Sequence, residues 1–342
     1  MSRTRAIFEK LKAVKLLRPM LPILTTLEGI FAGTEAVTIE APHIREHLEI
    51  KRYMTAAIIG LMPTLVAAVI FFGPYVLACV LVSYLVGGAI EVAFAYVRKR
   101  EIEEGFLVTG LIFPLTLPAG VPLWVVAVGV AVGVFFGKEV FGGTGRNIFN
   151  PALVGRLFIT IGFPGIMSGQ WVAPFTDAIT SATPLAIYKS AGTIPPYFDL
   201  LMGQVAGSMG ELFRIGIIAG GLFLIVVRVS NWRIPLFFFA AVAAVSAIGH
   251  VFLPATIAPP LFQLLTGGLL FGAFFMATDP ITSPATKAGK IIFGIGCGVV
   301  TVVIRSFTGF TEGVMFSIVF MNAFAPLIDT MVINRRFPAV EP

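Results

Sequence analysis

Apolar residues run along this chain in long blocks rather than as stripes at three- and four-residue spacing. Ten such blocks cover residues 53–73, 75–97, 106–119, 122–137, 150–164, 211–228, 233–253, 257–278, 288–305 and 312–331. A membrane-spanning helix needs about 20 mostly apolar residues, fewer where it is broken or packed inside protein. The pattern predicts an all-α integral membrane protein of about ten transmembrane helices, with the third and fifth short. Residues 1–52 precede the blocks, and their "IFEKLKAVKLL" alternates apolar and basic residues at helical spacing, as in an amphipathic helix lying on an anionic leaflet. Residues 165–210 form a long loop, and residues 332–342 a polar tail.

The blocks divide into two sets of five, residues 53–164 and 211–331. "GKEVFGGTGRNIFNP" interrupts the apolar pattern in the first half and "FMATDPITSPATKAGK" in the second. An odd number of spans per half makes the halves inverted repeats, a transporter plan that puts sites at broken helices between them. Irregular backbone at membrane depth survives only where protein or a cavity satisfies its N–H and C=O groups.

Composition agrees with this class. Of 342 residues, 57% are hydrophobic and 12% charged, against about 25% charged in a soluble domain. The net charge of +6 does not point to nucleic acid, because the basic residues gather in short loops. With the N-terminus in the cytoplasm, Arg98, Lys99, Arg100, Lys138, Arg146, Arg228, Arg233, Lys287, Lys290, Arg335 and Arg336 all fall on the cytoplasmic side. The opposite side carries the uncharged "LPAGVP" and "LPATIAPP" and the 165–210 loop with its single Lys189; Arg214 and Arg305 are the other cations near outer helix ends. That asymmetry predicts both termini inside and the long loop outside. Cys79 and Cys297 lie within apolar runs without CxxC spacing, so no disulfide framework or metal site is expected. Residues 1–20 lack an apolar core before a small-residue cleavage site, so no signal peptide is expected.

Away from the block ends ionisable groups are few: Glu91 lies in the second block, Arg156 in the fifth, Asp279 at the end of the eighth and Asp329 near the end of the tenth. A carboxylate at that depth costs a few kcal/mol on insertion scales, so it lines a pathway or finds a partner. Glu91 shares a helix face with Gly87 four residues earlier, which suits a cavity wall; equally, Glu91 could pair with Arg98, and Asp329 could act as a cap. Arg156 calls for an internal carboxylate. "GGTGRNIFNP" is glycine-rich but lacks the GK[ST] of a phosphate loop. Asn147 and Asn150 offer amide hydrogen bonds to a planar heterocycle, or to the carbonyls of a broken helix. In "DAITSATP" the Thr183 hydroxyl stands among small residues before Pro184, open to a modifying enzyme or simply part of a Ser/Thr turn.

Long stretches of the chain resemble one family. From "REHLEIKRYM" to "APLIDTMVINRR", and most densely in "LVGGAIEVAFAYVRKREIEEGFLVTG", "PLWVVAVGVAVGVFFGKEVFGGTGRNIFNPALVGR", "TSATPLA" and "FFMATDPITSPATKAGKIIFGIGCG", it is similar to the B subunits of Na+-translocating NADH:quinone oxidoreductases. The D subunits of Rnf ferredoxin:NAD+ complexes are a related alternative, although "GKEVFGGTGRN" looks more like the quinone reductase version. The resemblance implies ten spans in two halves, a plan similar to urea and ammonium channels. It implies a covalent FMN, joined by a flavin transferase as a phosphoester to the last Thr of a D-x-x-[ST]-G-A-T motif. In this chain the motif reads Asp177, Thr180, Ser181, Ala182 and Thr183, with Ser181 in place of the usual Gly.

It further implies a non-covalent riboflavin near the cytoplasmic breaks, for which Gly142, Gly143, Asn147, Asn150 and Asp279 are the candidates. Quinone is implied at Gly87 and Gly88, and a Na+ path at Glu91 and Asp329, hard oxygen donors suited to a hard cation. Partner subunits of a six-subunit reductase, a bacterial inner-membrane location and a periplasmic 165–210 loop come with the same resemblance. The reading from another class is a channel-like transporter without redox groups.

Overall fold

The computed structural model describes residues 50–99, 105–175 and 181–336, together with Glu9 and Lys12. Apart from Glu9 and Lys12, the amphipathic N-terminal segment lies outside the described residues, as do Asp177, Thr180 and the end of the tail. The described chain is helical, with one isolated antiparallel bridge between Pro118 and Ser208. In order the helices are α1 (Ile50–Phe72), α2 (Tyr75–Arg98), α3 (Gly105–Leu115), α4 (Leu123–Gly137), α5 (Pro151–Gly162), α6 (Pro164–Gly169), α7 (Pro184–Ala191) and α8 (Tyr197–Met202). Then come α9 (Arg214–Val226), α10 (Arg233–Phe252), α11 (Pro260–Leu265), α12 (Leu269–Phe271), α13 (Lys287–Phe307) and α14 (Val314–Arg336).

Six of these segments are long and apolar enough to cross a membrane: Tyr53–Phe72, Tyr75–Arg98, Leu123–Phe141, Arg233–Phe252, Lys287–Phe307 and Val314–Arg336. Val66, Ile70, Leu81, Val97, Val226 and Val251 are each more than half exposed, a density of bare aliphatic surface that needs lipid around it. This is an integral membrane protein.

Proline and hydroxyl or amide side chains set the helix starts. Asn150, Thr183 and Thr286 each precede a helix, and their side-chain oxygens accept from Ala152 N at 3.1 Å, Ala186 N at 3.3 Å and Gly289 N at 3.0 Å. Pro151 and Pro184 occupy first positions, where a missing N–H costs nothing.

Packing follows one pattern twice. α2 lies against α3 and α4, and α4 against α5; likewise α10 lies against α11 and α13, and α13 against α14. Between the two sets α1 crosses α9, where Gly60 and Gly220 let the backbones meet. The α4–α5 crossing depends on Gly129, Gly133 and Gly137, four residues apart, facing Pro151 and Gly155. A Cβ at Gly133 would sit 2.5 Å from the Pro151 carbonyl oxygen and 3.0 Å from Gly155 N. Such close approach is how helices associate in lipid, where no hydrophobic force drives them together. Gly133→Leu is therefore expected to cost at least the ~1–3 kcal/mol of overpacking, and to cut the monodisperse yield in detergent on size-exclusion chromatography several-fold. A normal elution profile and yield would contradict this contact.

Three expectations are corrected. The block 257–278 is not one helix: α11 ends at Leu265, Thr266 is extended, Gly267 takes φ +65°, and α12 leads into a π-helical turn at Gly272–Met276. The freed carbonyls of Gln263 and Thr266 accept from Arg305 at 2.8 and 2.9 Å, and Gly268 N donates to Glu312 at 2.9 Å. Hydropathy cannot detect a break whose polar groups are satisfied by residues about 40 positions away. Secondly, the long 165–210 loop holds α6, α7 and α8 and folds back onto the protein: Met209 N donates to Leu117 O at 3.0 Å and Gly210 N to Leu115 O at 2.6 Å. Thirdly, the block at 211–228 is helical only from Arg214 to Val226.

Candidate functional site

Two cavities lie toward opposite ends of α9, one beside Leu224 and Ser230 and the other beside Glu211. The larger has an empty volume of about 730 Å³ out to its open mouth. It is lined by Tyr53 and Met54 at the start of α1, by Lys138, Thr144, Asn147 and Asn150 between α4 and α5, by Ser230 after α9, and by Thr278, Asp279 and Ile281 beyond the π turn.

The two interrupted segments therefore meet in one place. Asn150 uses its Oδ1 as a helix cap. Asn147 donates its Nδ2 to Phe149 O at 3.1 Å, which leaves its buried Oδ1 without a partner. Thr144 Oγ1 and Ser230 Oγ are buried without partners as well. Asp279 receives Ile281 N and Thr282 Oγ1, each at 3.2 Å. An unpaired buried polar atom costs about 1–3 kcal/mol, so three around one cavity call for a polar partner there. Gly142 and Gly143, with φ of +117° and +97°, turn the chain here and are not among the lining residues.

Sequence reasoning missed Thr144, Ser230 and Lys138. Thr144 lies within the glycine-rich run and was legible there. Ser230 carried no signal, because only the approach of α9 brings it to the cavity.

Glu91 is buried, and its partner is Lys138, not Arg98. Lys138 Nζ lies 2.5 Å from Glu91 Oε1, with each side chain 3% exposed, while Arg98 pairs with Glu139 at 2.8 Å. Lys138 also stands within electrostatic reach of Asp279. Gly87 packs against Val130 and Val134 of α4, and Gly88 faces Phe106 of α3. Asp329 holds the segment before α13: it accepts from Ala285 N at 2.6 Å, Thr286 N at 3.0 Å and Thr286 Oγ1 at 2.5 Å.

The second cavity is lined by Arg156, Trp171, Thr183, Pro184, Leu185, Glu211, Gly267, Thr311 and Glu312. Thr183 is half-buried at the N-terminus of α7, and Ala182 beside it is exposed. Glu312 is fully engaged, accepting from Arg305 at 3.0 Å, Gly268 N at 2.9 Å, and Gly313 N and Val314 N at 3.0 Å each. Glu211 accepts from Ser208 Oγ at 2.7 Å. Arg214 is spent on the carbonyls of Leu200, Leu265 and Leu212. Arg156 is within electrostatic reach of Glu312 and Glu211.

The cations here that sequence reading placed near outer helix ends, Arg214 and Arg305, are thus buried structural groups. Lys189, on the edge of an adjoining polar cavity, donates to the carbonyls of Arg305, Thr308 and Phe310 at the end of α13. Its partial burial lowers its pKa from the ordinary lysine value.

Comparison with known proteins identifies the family. The model of the "NQR2, RnfD, RnfE family" matches residues 37–338. The B subunit of the Na(+)-translocating NADH-quinone reductase of Pseudomonas aeruginosa strain LESB58 is 42% identical over 273 residues, 77% of this chain and 68% of the relative. The protein of the same name from Pseudoalteromonas atlantica is 41% identical over 298 residues, covering 82% and 74% of the two chains. That from Azotobacter vinelandii is 41% identical over 273 residues, 77% and 68%. A family match over residues 37–338, with more than two-fifths of the aligned positions identical in these relatives, means that the chain belongs to the NQR2, RnfD, RnfE family.

Proposed function

We propose that this chain is the membrane electron-carrier subunit of a Na+-translocating NADH:quinone oxidoreductase. On this reading it holds FMN as a phosphoester on Thr183 and a non-covalent riboflavin in the larger cavity. One observation carries the reading: two cavities toward opposite ends of α9 each contain polar atoms without partners, one beside Thr183 and one beside Asn147. The names of the relatives supply the reaction.

The flavins, when bound, supply one- and two-electron chemistry; the protein supplies position and electrostatics. Thr183 is half-buried next to exposed Ala182, the side from which a transferase would reach its hydroxyl. The new Oγ1–P bond forms as a phosphoanhydride bond in the transferase's flavin donor breaks, and the hydroxyl proton leaves with it. Asn147, Thr144 and Ser230 would hold riboflavin through hydrogen bonds, and Asp279 and Lys138 would set the charge around it. Quinone is assigned to the α2 face at Gly87 and Gly88, and the Na+ path to Glu91 and Asp329.

The doubled packing pattern supports two five-helix inverted repeats that cross at Gly60 and Gly220. The basic loops support a reading in which the larger cavity faces the cytoplasm and Thr183 the periplasm, in the bacterial inner membrane that the resemblance implies. The other subunits of the complex complete the route from NADH.

The test is direct. Purify the complex after expression with its flavin transferase, and analyse the peptide around Thr183 by mass spectrometry. A flavin phosphate on Thr183 is expected. Unmodified Thr183 in complex that still reduces quinone would overturn the reading and favour a route without covalent flavin.

A further inference from the structure

We propose that the cavity below Thr183 is a phosphoryl-group site, with Arg156 the residue that binds the phosphate carried on Thr183 Oγ1. The inference rests on the flavin reading above and assigns a ligand to a residue that reading leaves without a role.

Three observations converge. Arg156 is 95% buried, taking its 5% exposure, and lines the cavity together with Thr183. Its Nε is buried with no hydrogen-bond partner. The carboxylates nearby do not take up that donor: Glu312 is saturated by Arg305 and three backbone N–H groups, and Glu211 accepts from Ser208. A guanidinium is the side chain best matched to phosphate oxygens, through planar, paired N–H donors. Thr183 is itself the N-cap of eight-residue α7, whose dipole favours an anion at that end. Ser181 Oγ, two residues before the ester oxygen, is a further buried hydroxyl without a partner.

Arg156 is thus a positioning residue for the cofactor, and its effect is read on loading and on the phosphorus rather than on turnover. The complex is prepared with wild-type, Arg156→Lys and Arg156→Gln chains, each expressed with the transferase. In-gel flavin fluorescence per chain, riboflavin released on denaturation and the 31P spectrum are then measured. Arg156→Gln is expected to lose about tenfold or more of the covalent flavin, the loss of one charge-assisted contact, while keeping riboflavin in the remote cavity. Arg156→Lys is expected to keep most of the flavin with a displaced 31P resonance.

Wild-type loading in Arg156→Gln, or an unmoved resonance in Arg156→Lys, overturns the assignment. If Arg156→Gln fails to fold, as shown by lost riboflavin, the resonance of Arg156→Lys decides alone. A phosphorus signal that chloroform–methanol extracts belongs to a lipid headgroup and overturns the proposal. An unmodified wild-type Thr183 removes the flavin reading itself, and this assignment with it.

Discussion

Thr183→Ala is expected to remove all covalent flavin from the chain and to lower NADH:quinone turnover of the complex by at least about a hundredfold, since an electron carrier has no partial substitute. The fold should survive. Thr183 contributes one cap bond, its Oγ1 accepting from Ala186 N at 3.3 Å, and losing such a cap costs about 0.5–2 kcal/mol. α7 remains anchored by buried Pro184 and Leu185, by Tyr188 Oη donating to Pro254 O at 3.0 Å, and by Lys189 on the end of α13. The discriminating measurement is thus paired: flavin fluorescence of the denatured chain on a gel, and riboflavin content of the native complex. Loss of the first with retention of the second supports two separate flavin sites. Unchanged turnover without covalent flavin would exclude Thr183 from the electron route. Thr183→Ser, which keeps a hydroxyl, should restore part of both the loading and the rate.

Lys138→Met is expected to be the most damaging single change at the other end of the molecule. It removes the ammonium 2.5 Å from Glu91 Oε1 and leaves a carboxylate that is only 3% exposed. Breaking a buried pair from one side costs about 3–5 kcal/mol, whereas removing both charges is often close to neutral. The cycle of Lys138→Met, Glu91→Gln and the double variant, followed by thermal unfolding in detergent, should therefore show the double variant more stable than Lys138→Met. Additive losses would mean that the pair is not the interaction that matters.

The same cycle tests sodium. A cation that uses Glu91 must compete with Lys138 for the same oxygens, so Glu91→Gln should raise the Na+ concentration for half-maximal turnover. An unchanged sodium dependence removes Glu91 from the path. Because Lys138 also lines the larger cavity beside Asp279, this ion pair is where the flavin reading and the carboxylate reading meet.

The membrane class, most helix positions and the two interrupted segments were legible in the sequence for one reason. Burial in lipid is set by local composition, and a run such as 75–97 or 233–253 declares itself without reference to anything distant. The helix starts were legible too, since Asn150 with Pro151 and Thr183 with Pro184 act within a few residues.

Pairing was not. Glu91 lies seven residues from Arg98 and 47 from Lys138, and only the packing of α2 on α4 selects the distant partner. The break after Leu265 stayed hidden because its carbonyls are satisfied by Arg305, about 40 residues on. Composition along the chain thus determined which segments enter the membrane. Which charges meet inside it, and that Arg156 shares a cavity with Thr183, was decided by helix crossings, because a buried charge is stabilised by whatever the fold brings within a few ångströms of it.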